Sequence, residues 1–408
     1  MRPTPAQAGA RIPRGVWVLG FVSMLMDISS EMIHALLPVY LVTVMGASAL
    51  TVGVIEGIAE ATAAVTKVFS GALSDWLGRR KLLVLLGYAL GALTKPVFAL
   101  APVVEWLVAA RFVDRVGKGI RGAPRDALVA DLAPAELRGA AFGLRQALDT
   151  VGAFVGPLLA IALMLLTHNH FQTVFWWAVL PAALCVLLVL LGVREPARPA
   201  PAAAAAASGD TAAPAHRRFG REQLARLDRA YWWVVGLGAL FTLARFSEAF
   251  LILRAQAVGL PLAFAPAVLV LMNLVYALAA YPAGALSDRM PRERLLGFGL
   301  ALLVAADLAL ALLPHLAGVA LGIVLWGLHM ALTQGVLAAM VADTAPAELR
   351  GTAFGVFNLV SGLGLLAASV LAGALWDQLG AGSTFLVGAA CAALSVAALW
   401  LRPGRSRR

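Results

Sequence analysis

Charge is scarce in this chain. Of its 408 residues 13% are Asp, Glu, Lys or Arg and 61% are hydrophobic, whereas soluble domains carry about 25% charged residues. A soluble chain of this length would need far more polar surface. The formal net charge is +10, but the basic residues sit in short loops between apolar runs. That arrangement orients a chain in a bilayer and does not point to nucleic acid. There are only two cysteines. Cys185 and Cys391 both lie inside apolar runs, so neither a disulfide nor a metal site is indicated. No G-x-x-x-x-G-K-[ST], H-E-x-x-H, nucleophile elbow or paired-cysteine motif occurs, so nothing indicates an enzyme or a bound cofactor. The opening apolar run carries Asp27 and Glu31 and is too long and too polar for a cleavable signal peptide.

The chain instead repeats itself. GALSDWLGRRKLL at 71–83 returns as GALSDRMPRERLL at 284–296, and DLAPAELRGAAFG at 131–143 returns as DTAPAELRGTAFG at 343–355. The offsets nearly agree: 284 − 71 = 213 and 343 − 131 = 212. Two unrelated stretches recurring at one spacing mark a duplicated half. Duplicated bundles of apolar helices are a common build of secondary transporters, with the substrate site between the repeats.

A spanning helix needs about 20 mostly apolar residues. Apolar runs separated by loop signals predict spans at 15–45, 50–70, 82–101, 103–130, 139–167 and 172–193, then at 231–253, 264–285, 294–313, 316–341, 351–376 and 381–401. The expected organisation is an all-α integral membrane protein of about twelve helices. A six-helix half occupies 1–195, a Pro/Ala-rich tether 196–230, where 221–229 has the makings of a short polar helix, and a second six-helix half 231–408. Arg and Lys cluster before span one, after spans two, four, eight, ten and twelve, and in the tether. The loops near 46–50, 168–171, 314–316 and 377–380 hold none. The positive-inside rule then puts both termini and the tether in the cytoplasm. Arg254, at the other end of span seven, runs against this pattern.

The loop after span two resembles the signature of the major facilitator superfamily, G-x-L-x-D-x-x-G-R-[RK], in Gly71, Leu73, Asp75, Gly78, Arg79 and Arg80. The second copy keeps Gly284, Leu286 and Asp288 but has Pro291 in place of the last glycine. The resemblance covers essentially the whole chain. It implies a permease with alternating access, with this loop locking and releasing the two halves. An acid beside helix ends and arginines makes a breakable charge cluster. Arg111, Gly117 and Gly119 match part of the family's span-four pattern, with Arg115 where a glycine is usual. Gly152, Gly156 and Pro157 resemble the G-x-x-x-G-P motif of its proton-driven exporters, although G-x-x-x-G is also a common packing face. Arg145 and Asp149 stand i, i+4 in line with it.

An ionisable residue at mid-span costs roughly 2.5–3.5 kcal/mol and defaults to a functional reading. In span one, Asp27, Glu31 and His34 fall within about 60° on one face. They can carry protons, pair with arginines, or hold a cation. In span four, Arg111, Arg115, Lys118 and Arg125 lie within about 80° of one another, with Arg121 beside them and Asp114 and Asp126 interspersed. Gly117, Gly119, Gly122 and Pro124 suggest that this helix is kinked or unwound. Glu56, Glu60 and Lys67 share a face of span two, the last two close enough to neutralise each other. The second half offers less: Arg245 and Glu248 in span seven, His329 and Gln334 in span ten, Asn358 in span eleven, and Asp307 in span nine with no evident partner.

Because the resemblance implies that spans one, four, seven and ten line a central cavity, the expected substrate-facing set is Arg111, Asp114, Arg115, Lys118, Arg121, Arg245, Glu248 and His329. Asp27, Glu31 and His34 are the proton-coupling candidates. The expected function is a monomeric, proton-coupled exporter of a small solute in the bacterial inner membrane. Alternatives are proton symport of an anionic solute, export of a metal ion or chelate, and a non-transporting receptor.

Overall fold

The computed structural model describes residues 12–77, 79–134, 137–195, 226–287, 290–346 and 349–400. The tether, including the stretch proposed as a short helix, lies largely outside them. Fourteen α-helices build twelve crossings among the described residues. In the first half these are α1 (Arg14–His34), α2 (Leu37–Thr43), α3 (Ala49–Leu77), α4 (Arg80–Leu100), α5 (Val104–Leu132), α6 (Arg138–Leu166) and α7 (Phe171–Gly192). In the second they are α8 (Arg229–Ala244), α9 (Ala249–Ala257), α10 (Ala267–Ser287), α11 (Arg292–Leu312), α12 (Leu316–Thr344), α13 (Arg350–Leu379) and α14 (Ala381–Trp400).

Eleven of the crossings are long and apolar enough to span a membrane. The twelfth is α5, too charged to qualify by hydropathy. Its 29 residues are about 43 Å long at 1.5 Å per residue. It packs between α3 and α4, so its charges meet protein rather than lipid.

The helix register is tighter than the sequence repeat. Arg80 opens α4 and Arg292 opens α11; Val104 and Leu316 open α5 and α12; Arg138 and Arg350 open α6 and α13. All three pairs are 212 apart (292 − 80, 316 − 104, 350 − 138). The ungapped match of the first motif had set Arg292 against Arg79.

Spans one and seven, expected as single helices, are each broken near mid-span. Span one turns at Ala35–Leu36 between α1 and α2, just before Pro38 at the start of α2. Span seven is non-helical at 245–247 between α8 and α9. There the Ser247 amide donates to the Ser369 hydroxyl at 3.2 Å instead of to a helical carbonyl. Span four is not unwound at its glycines. α5 is continuous, and its glycines serve close packing: a Cβ on Gly117 would stand 2.6 Å from the Gly87 carbonyl oxygen of α4.

The halves meet along α3 and α13, which pack antiparallel. At the end remote from the termini, Asp377 near the end of α13 accepts the backbone N–H groups of Ala49 and Leu50 at 3.0 and 2.9 Å. Two otherwise unpaired donors of the α3 N-terminus are thus satisfied from the other half. A Cβ on Gly373, one turn earlier, would lie 2.6 Å from the Ala49 carbonyl oxygen. The short helices α2 and α9 pack against each other at the same end.

Candidate functional site

A layer of ion pairs fills the middle of the first half, and α5 supplies most of its cations. Arg111 Nη2 meets Glu56 of α3 at 2.6 Å. Arg115 Nη1 meets Glu60 at 3.2 Å, and its Nη2 lies 3.3 Å from His34 Nδ1. Lys95 of α4, fully buried, meets Asp114 at 2.9 Å and donates to the Ser30 hydroxyl at 3.1 Å. Arg121 stands 4.7 Å from the centre of the Tyr88 ring, a cation–π contact. Arg125 donates to Ser23 at 2.9 Å and to Asp126 at 3.2 Å. Arg145 and Asp149 form the expected i, i+4 pair at 2.7 Å, with Asp126 at 3.7 Å from Arg145.

This wiring departs from the sequence reading in several places. Glu60 pairs with Arg115 and not with Lys67, which is exposed. The long guanidinium arm of Arg115 reaches Glu60 across the α3–α5 contact, whereas Lys67 lies farther along that contact, its side-chain carbons running past Gly122 of α5. Arg111, Asp114, Arg115 and Arg121 are all buried, held within the layer and not presented to open space. His34 directs Nδ1 toward Arg115 and Nε2 toward Asp114 at 3.7 Å, so it does not converge with Asp27 and Glu31 on one point. Lys95, at the heart of the layer, escaped the sequence reading. A lone lysine inside the apolar run of span three was the signal that could have found it.

Three charges of the layer have neither a Lys, Arg or carboxylate partner nor an aromatic one among the described residues. No Lys or Arg nitrogen lies within 4 Å of Asp27 or Glu31, and no carboxylate lies within 4 Å of Lys118; the nearest ionisable contact to Glu31 is His34 Nδ1 at 3.9 Å. Glu31 is 27% exposed, and Lys118 is exposed at the midpoint of α5. The exporter-like motif packs behind these carboxylates. Cβ atoms on Gly152 and Gly156 would stand 2.9 and 2.8 Å from the Cβ atoms of Asp27 and Glu31. With no side chain at either glycine, α6 can come this close to α1.

The helix breaks set two walls opposite each other. Glu31 and His34 sit at the break of span one, Arg245 and Glu248 at the break of span seven, 3.6 Å apart. Glu248 is within electrostatic reach of Glu60 and Lys118 across the halves, and Glu31 of Glu248. Behind Arg245 lies an aromatic group. His329 is buried, with Nδ1 2.8 Å from the Gly299 carbonyl oxygen, and its ring is 5.5 Å from Phe241 and 6.3 Å from Trp326. Asp307 is fully buried, and neither carboxylate oxygen has a hydrogen-bond partner. Of the gate motif, Gly71 lies within α3, Arg79 is exposed, and Arg80 is buried. Gly78 and Asp288 lie outside the described residues, as does the Asp75 side chain.

The profile of the Major Facilitator Superfamily matches residues 19–271 and 249–408. The chain belongs to the major facilitator superfamily. It is 33% identical over 396 residues to an uncharacterised MFS-type transporter of Methanocaldococcus jannaschii, covering 94% of each chain. It is 28% identical over 366 residues to an uncharacterised protein of Mycobacterium tuberculosis, covering 89% of this chain and 87% of that one. Among solved structures it resembles a POT family transporter in complex with 5-aminolevulinic acid (TM-score 0.77, 15% identity, 95% and 96% of the chains covered). These matches show the fold and a multi-pass membrane transporter of this superfamily. The two helix breaks lie in spans one and seven, two of the four spans that the superfamily resemblance implied as lining a cavity.

Proposed function

We propose that this transporter is a proton-coupled exporter of a small charged solute in the bacterial inner membrane, with both termini and the tether cytoplasmic. Asp27 and Glu31 carry the coupling protons. The observation behind this is their isolation. Glu56, Glu60, Asp114, Asp126 and Asp149 all have an arginine or lysine within 4 Å, and these two do not. A carboxylate near the midplane whose surroundings change as the halves rock changes its proton affinity with the state of the cavity. The packing of the G-x-x-x-G-P motif against these same two residues favours export, since that motif resembles the one in proton-driven exporters. If the proton and a positive group of the solute occupy Asp27 and Glu31 in turn, each excludes the other, and the cycle exchanges them.

Proton symport of an anionic solute is the second reading, favoured by the exposed ammonium of Lys118. In that cycle protonation of Asp27 or Glu31 leaves the site net positive, and the anion travels with the proton. Metal export draws no support from geometry, because both ring nitrogens of His34 face Arg115 and Asp114.

The test is transport in proteoliposomes with and without a pH gradient. The double variant Asp27→Asn, Glu31→Gln is expected to lose gradient-driven accumulation and to retain exchange at equal pH. A double variant that still concentrates its solute against a gradient would end the proposal.

A further inference from the structure

The charged layer has one cation that nothing in it uses. Lys118 stands at the centre of α5 (118 − 104 and 132 − 118 both give 14), about 21 Å from either end at 1.5 Å per residue. An unpaired ammonium at that depth is costly in a bilayer. Its companions avoid the cost: Lys95, Arg111, Arg115, Arg125 and Arg145 are each held by a carboxylate within 4 Å, and Arg121 lies over Tyr88. Lys118 is exposed instead, on a side of α5 within electrostatic reach of Glu248 from the other half. The charges around it are Arg115, Glu60, Asp27 and Glu31 from its own half and Glu248 from the other. An ammonium kept here without a resident partner is explained by a partner that comes and goes.

Negative charge is accessible as well, at Glu31 and at Glu248, the latter shared with Arg245 at 3.6 Å. Glu31 and Glu248, each beside a helix break, are 27% and 37% exposed. A plain anion entering this space would meet Asp27, Glu31, Glu60 and Glu248. A plain cation would meet Lys118 and Arg245. A dipolar solute meets a complement at each end.

We infer that Lys118 anchors the anionic group of the transported solute and that the same solute carries a cationic group received by Glu31 and Glu248. The substrate class is then a small dipolar compound bearing a carboxylate or similar oxyanion and an amine. This inference rests on the transport reading but not on its proton coupling or direction. Arg115, one turn earlier on α5, is already occupied by Glu60 and His34, so it does not take this role.

The experiment is exchange at equal pH on both sides of proteoliposomes containing the full chain. Three labelled pools serve as probes: dipolar (glycine, alanine, dialanine, 5-aminolevulinate), anionic (succinate, glucarate) and cationic (tetraphenylphosphonium, ethidium). The dipolar pool is expected to exchange. For it, Lys118→Gln should raise the half-saturating concentration at least tenfold, and Lys118→Arg less than threefold. Independently of any variant, the dipolar pool should lower acylation of Lys118 by an amine-reactive ester relative to that of the exposed Lys67 in the same sample, read by mass spectrometry, the ratio cancelling the ester that the amines of the pool consume. Exchange of only the anionic or only the cationic pool overturns the inference. So does a Lys118→Gln protein with unchanged affinity, and that result would leave the transport reading standing. Wild-type protein that exchanges none of the pools and shows no protection overturns both.

Discussion

Arg80, the first residue of α4, donates to Asp131 near the end of α5, and Arg292 donates to Asp343 in the equivalent place of the second half. Each pair joins the two stretches that recur in the sequence: Arg80 and Arg292 come from the first motif, Asp131 and Asp343 from the second. The duplication thus preserves a bond as well as two loops. Arg80 and Asp131 are 11% and 24% exposed, Arg292 and Asp343 40% and 59%. Breaking the more buried pair should therefore cost more. Asp131→Ala is expected to lose about 1–3 kcal/mol, and Asp343→Ala less than about 1 kcal/mol. Thermal unfolding of the detergent-solubilised variants measures this. Equal shifts would show that burial does not set the strength of these pairs.

The clasp between Asp377 and the start of α3 holds one end of the bundle shut. A carboxylate at a helix N-terminus contributes about 0.3–1 kcal/mol, and up to about 2 when partly buried. Asp377→Ala should shift the population toward an arrangement open at that end. Spin labels at Val44 and Leu379 should then report a longer distance component that is minor in the wild type. Gly373→Val, which forces a side chain into the Ala49 backbone, should act in the same direction. An unchanged distance distribution in both variants would remove the clasp from the gating scheme.

The opposite end carries the signature motif. Asp75 stands two residues before the end of α3, as Asp377 does before the end of α13. Asp75→Asn is expected to leave a folded, inserted protein with strongly reduced transport. Asp288→Asn should matter less, since its repeat has lost the last glycine. Indistinguishable rates in the two variants would contradict that asymmetry.

The proposed orientation rests on the loop charges. Reporter fusions near Ser208 and after the last helix should read cytoplasmic, and one near His168 should read external. A single external reading at the tether would sink the assigned topology.

Much of the architecture was legible in the linear chain. Apolar runs of bilayer length, interrupted by charged turns, specify spanning helices because lipid leaves the backbone no other partner. The repeated motifs declared two related halves. The i, i+4 spacing of Arg145 and Asp149 was enough to predict their pair, because neighbours on one helix meet by local geometry alone. Other features depend on which helices touch. Whether Glu60 takes Lys67 or Arg115 is decided by the closeness of α3 to α5. The glycines of α5 looked like a break; contact with α4 at Gly117 and with α3 at Gly119 makes them packing faces. The breaks in spans one and seven had only Pro38 as a local sign. The sequence by itself determined a duplicated, twelve-span membrane protein with its ionisable residues concentrated in the first half. Only the tertiary structure decided which charges cancel and which stay open, because pairing is set by distances between helices. That sorting leaves Asp27, Glu31 and Lys118 free, and the proposed mechanism needs groups that are free.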